Sequence, residues 1–188
     1  MASTRSPDAK KRYTAFISVM IFISLLILFP QYIASGVVYY RVHMNKQLVH
    51  EFEVDNDKVR IFIESRDEEF VLIGSVEKVE ELVRKAYLDF KPLLVSRSWK
   101  EYKGEPPGQT FDLLFLNEET FGSFEQHMYG GHYEFNAFFH TWLKTAYLRG
   151  DGNEYDVSTR GGTIRHETFH YLSKKYNLNF EERAAQIF

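Results

Sequence analysis

Residues 161–188 read GGTIRHETFHYLSKKYNLNFEERAAQIF, and within them His166, Glu167 and His170 stand in the spacing H-E-x-x-H. No proline or glycine interrupts residues 163–176, and Ile164, Phe169, Tyr171 and Leu172 give the segment apolar surface. The pattern predicts a helix that starts near Gly162 or Thr163, runs to about Tyr176 and stops at Asn177. On a helix, residues four apart share a face one turn apart, so His166 and His170 can present two imidazoles to one point. Zinc takes neutral imidazole nitrogens at about 2.0–2.1 Å in a tetrahedral set, and in catalytic sites keeps one position for water. Glu167, one step round the helix, is placed to take a proton from such a water and return it to a leaving amine.

Composition narrows the chemistry further. The chain has 188 residues, a net charge of −3, 44% hydrophobic residues and no cysteine. Thiolate zinc sites, disulfides and cysteine nucleophiles are therefore excluded, and a metal must be held by His, Asp or Glu. The weak net charge gives no electrostatic footprint for nucleic acid.

Residues 14–40, TAFISVMIFISLLILFPQYIASGVVYY, carry no charge over 27 positions. About 20 helical residues cross the hydrocarbon core, so the run is long enough to span. Arg5, Lys10, Lys11 and Arg12 precede it, whereas Arg41 and Lys46 follow. By the positive-inside rule residues 1–13 stay cytoplasmic and residues 41–188 lie outside. A permanent anchor is the first reading. A cleaved signal peptide, with Ala34-Ser35-Gly36 as the cleavage site, is the second.

Along the exported part, residues 41–57 read as a polar juxtamembrane lead-in that ends in a strand. KVRIFIES (58–65) alternates as a half-buried strand, and FVLIG (70–74) is expected to pair with it as a hairpin. From Ser75, a plausible N-cap, Val76, Val79, Leu82, Val83, Ala86, Phe90 and Leu93 fall on one helical face. FDLLFL (111–116) reads as a strand, followed by a short helix from Glu118 to about His127. Extended stretches are expected around residues 133–142 and 145–149, before the H-E-x-x-H helix.

A third ligand is still required. Position 176, six residues beyond the pentad, is Tyr rather than His. Glu181 and Glu182 instead follow His170 by eleven and twelve residues, on a last helix expected from about Asn179 through Phe188. A turn at Asn177 can fold that helix back, and Ala184 and Ala185 allow close approach.

HETFH…FEERAAQIF resembles the HExxH…ExxA pattern of gluzincin-type zinc metallopeptidases, in particular their minimal, peptidase-MA-like forms. The resemblance covers roughly residues 58–188, and its specific part is residues 162–188. It implies an α+β, minimal zincin-like domain: a small mixed sheet with a long helix and the HExxH helix, preceded here by one transmembrane helix. It also implies one Zn2+ per chain held by His166, His170 and Glu182, with Glu181 as the alternative third ligand, and Glu167 as general base and then acid. The substrate would be a peptide or protein, bound by strand addition somewhere in NAFFHTWLKTAYL (136–148). An oxyanion helper would come from Tyr133, His140 or Tyr171. The competing expectation is a catalytically inactive zincin-like binding or envelope-assembly module, since Phe188 falls only about two turns into the helix of the third ligand.

Overall fold

The computed structural model describes residues 7–64, 70–96, 106–129 and 135–178. The fold is α+β with a mixed sheet. Helix α1 covers Pro7–Met44, and strands β1 (Lys46–Val54), β2 (Asp57–Glu64) and β3 (Val71–Ile73) follow. Then come α2 (Val76–Ser96), β4 (Thr110–Leu116), α3 (Glu118–Tyr129), β5 (Ala137–His140), β6 (Thr145–Arg149), β7 (Glu154–Asp156) and α4 (Val157–Lys175).

Five strands form one sheet in the order β1-β2-β4-β6-β5. The central β2, β4 and β6 are parallel, and both edge strands run antiparallel to their neighbours. The central β4 is covered on both faces, and its residues 113–116 accordingly form one apolar run, whereas β2 keeps the alternation of Lys58 and Arg60 with buried Val59 and Ile61. Val59, Ile61, Phe111, Leu113, Phe115, Ala146 and Leu148 face a core completed by α2 and α4. Phe62, Leu114, Leu116, Phe138 and Tyr147 face the other way, onto Phe121 and Phe124 of α3 and Val42 of α1.

The lead-in of residues 41–57 contains strand β1. Its partner is β2, with Val54 opposite Asp57 and Lys46 opposite Glu64. The two-residue turn is Asp55-Asn56, with φ of 48° and 65°, the left-handed geometry a tight hairpin requires. FVLIG is therefore not the hairpin partner of KVRIFIES: β3 pairs in parallel with β7 in a separate two-stranded sheet. Both edges of β2 are already taken, by β1 through the two-residue turn and by β4 in parallel, so β3 has no place beside it.

The last turns of α1 belong to the core. Val42 is 4% exposed, Val38 and Tyr39 pack against the same cluster, and the His43 ring bonds the Tyr147 hydroxyl at 2.8 Å. Further back, residues 13–24 are exposed on every side of the helix. Among the described residues no helix is long and apolar enough to cross a membrane. The side chains of residues 25–35, the centre of the uncharged run, lie outside that description.

Candidate metal centre

Asp156 caps α4, its carboxylate accepting from the Ser158 backbone N at 2.8 Å and from the Ser158 hydroxyl at 2.6 Å. The helix thus begins at Val157, five residues before the earliest start read from the sequence, and passes through Gly161 and Gly162. A Cβ on Gly161 would lie 3.0 Å from Leu82 Cδ1, so α2 occupies the space that a larger residue would need. The helix ends where expected: Asn177 adopts φ 53°, and Leu178 N donates to Ser173 O at 2.7 Å.

Packing fixes the roll of α4. Ile164, Phe169 and Leu172 are buried at 0–2% exposure. Tyr171 stacks on Phe111 of β4, with centroids 4.4 Å apart, and Phe169 meets Phe90 of α2 edge-on at 5.4 Å. Arg165 bonds Asp89 of α2 at 2.7 Å. With those contacts made, His166 and His170 stand half-buried on one side of the helix.

Their Nε2 atoms are 2.9 Å apart, with ring centroids at 4.6 Å and planes at 78°. Two nitrogens on a tetrahedral zinc at about 2.0–2.1 Å would be about 3.3 Å apart. The pair therefore converges as the metal requires, to within a few tenths of an ångström. At 2.9 Å the rings also make a direct N–H···N hydrogen bond, in which the accepting ring must be neutral.

Glu167 is 3% exposed and lies near Tyr155, whose phenol is raised well above its usual range by burial, with the Glu167 carboxylate adding to the rise. Glu181 and Glu182 lie outside the described residues. Among the described residues no group of three or more His, Asp or Glu side chains is placed to hold a metal. Two of the three expected ligands are thus brought together.

The three expected oxyanion helpers fare differently. Tyr133 lies outside the described residues. His140 shares the strand parity of Phe138 on β5, which faces α3 and not α4. Its pKa is lowered by burial, and its Nδ1 accepts from Leu143 N at 3.3 Å. Tyr171 points into the core, 1% exposed, and burial together with the Asp57 carboxylate pushes its pKa up. Neither His140 nor Tyr171 faces the imidazole pair, because strand alternation and core packing direct them elsewhere.

Sequence reasoning missed the group that holds the far end of α4. Lys175 donates to Asp57 Oδ1 at 2.8 Å, with both side chains fully enclosed. Asp57 also accepts from the Tyr87 hydroxyl and from Gln109 N, each at 2.8 Å. An acid and a base 118 positions apart leave no periodic trace, so only the fold reveals them.

No family model matches the chain, and neither the curated proteins nor the solved structures contain a significant match.

Proposed function

We propose that the chain is a membrane-anchored zinc metallopeptidase with a minimal zincin-like domain. The observation that carries the reading is the convergence of His166 Nε2 and His170 Nε2 from consecutive turns of α4. Element order supports it: strands, the long helix α2, a sheet that ends in the antiparallel edge strand β5, then the helix with both imidazoles. An exposed edge offers main-chain donors and acceptors to an extended peptide, and among the described residues β5 has only β6 beside it.

His166 and His170 would hold the metal, with Glu182 or Glu181 as third ligand. Zinc, when bound, supplies Lewis acidity that lowers the pKa of a coordinated water to near 7. Glu167 acts as general base towards the attacking water and then as general acid towards the leaving amine. The Arg165–Asp89 and Lys175–Asp57 pairs bracket the two imidazoles and hold the helix that presents them.

Residues 14–40 cross the membrane in this reading, with residues 1–13 cytoplasmic and the sheet domain outside. The continuity of α1 through Ala34-Ser35-Gly36 supports an anchor over a cleaved signal. Tyr13 at one end of the uncharged run and Tyr39 and Tyr40 at the other suit the two interfaces.

The test is hydrolysis of an unfolded protein substrate by the full chain in detergent with zinc. Glu167→Gln should lower the rate about 10²–10⁴-fold, the usual share of acid–base catalysis, while bound zinc is unchanged. Zinc binding without hydrolysis in the wild type would instead favour the inactive binding or envelope-assembly module.

A further inference from the structure

The junction between anchor and domain contains no spacer. The uncharged run ends at Tyr40, yet Val38 and Tyr39 already pack against the domain core and Val42 is buried within it. β1 begins at Lys46, two residues after α1 ends. His43 adds a side-chain bond from the helix to Tyr147 in the middle of the sheet. A flexible tether would show polar, unpacked residues here, and this helix instead enters the core as one of its elements.

Resting on the membrane-anchored peptidase reading above, we infer that the substrates are polypeptides held at the same membrane and cut in the stretch next to the bilayer. The 27 residues of the uncharged run extend about 40 Å as a helix, whereas the hydrocarbon core is about 30 Å thick. Val38 and Tyr39 thus sit at headgroup level, and the domain that they pack against rests on the surface. A compact body of about 150 residues has a radius of gyration of about 15 Å and hence a diameter of roughly 35–40 Å. The imidazole pair lies within that body and cannot rise further from the bilayer, because the helix fixes its height. An extended chain covers about 3.3–3.6 Å per residue, so a scissile bond within about ten residues of a membrane span lies in reach. His166 and His170 lie on the sheet face opposite α1, so a neighbouring span can approach without meeting the anchor.

The experiment uses the full chain in proteoliposomes with zinc and two membrane-tethered reporters. Each carries the same unfolded stretch on a rigid helical spacer, of about 10 or about 50 residues, which raises it by about 15 or 75 Å. The near reporter should be cut at least tenfold faster than the far one. Inserting a rigid helical segment of about 40 residues after Gly36, which raises the domain by about 60 Å, should reverse that order. Equal cutting of both reporters by the wild type would overturn the height constraint and leave the peptidase reading intact. Failure to cut either reporter or the free unfolded chain would remove the peptidase reading itself, and the substrate class with it.

Discussion

Lys175 Nζ lies 2.8 Å from Asp57 Oδ1 in a pair with no exposed side-chain surface, and it joins the end of α4 to the start of β2. Asp57 is satisfied on all sides by Lys175, the Tyr87 hydroxyl and Gln109 N. A buried pair is weak grounds for net stability, but breaking one leaves an uncompensated charge. Lys175→Met should therefore cost about 3–5 kcal/mol in denaturant unfolding, and Asp57→Leu a similar amount. The double variant should recover part of the loss, as a coupled pair requires. Additive losses would show that the pair does not act as a unit.

His43 makes the contact between α1 and the sheet sensitive to acid. Its pKa is lowered from 6.5 to about 4, chiefly by burial and secondly by Lys46, with Asp112 opposing and His140 adding to the fall. The folded state thus prefers the neutral ring. This contribution to stability is complete above pH 6.5 and is lost as the pH falls towards 4. His43→Phe should flatten the stability profile in that window, at a cost of about 1 kcal/mol at neutral pH for the lost bond to Tyr147. Melting curves of both proteins from pH 7.5 to 4 measure the difference, and parallel profiles would exclude His43 as the titrating group.

Two neighbouring glycines on α4 should respond differently. A Cβ at Gly162 meets nothing within 4 Å, so Gly162→Ala should add about 0.5–1 kcal/mol by restricting the unfolded chain. Gly161→Val should destabilise, since Leu82 Cδ1 already lies 3.0 Å from the first added carbon. Thermal unfolding distinguishes them by sign.

A chain that starts at residue 41 lacks Val38 and Tyr39, which pack against the α3-side core. It should be less stable than one starting at residue 37 by roughly 1–3 kcal/mol, the value of burying one to two apolar side chains in part. Equal stability of the two would show that those contacts contribute nothing.

Periodicity made much of this fold legible. The faces of α2 and α4, the apolar run of β4 and the stop at Asn177 all follow from local spacing and turn chemistry. Where the sequence misled, a tertiary partner decided. Residues 46–54 look polar because β1 is an edge strand, yet Glu51 and Glu53 alternate with the buried Phe52 and Val54. Gly161-Gly162 looks like a helix boundary, but α4 continues through it because Leu82 packs on Gly161 and Asp156 caps further back. At the site, the spacing of His166 and His170 sufficed to bring their rings together. The burial of Glu167 beside Tyr155, and the turning of His140 and Tyr171 away from the pair, depend on contacts that no local pattern encodes.

The most direct measurement is zinc per chain in the full protein, wild type beside His166→Ala, Glu182→Ala and Glu181→Ala. The three-ligand reading predicts about one zinc in the wild type. That zinc should be lost with His166 and with one of the two glutamates, and kept with the other. A folded wild-type protein that holds no zinc, or a zinc that survives His166→Ala, would contradict it.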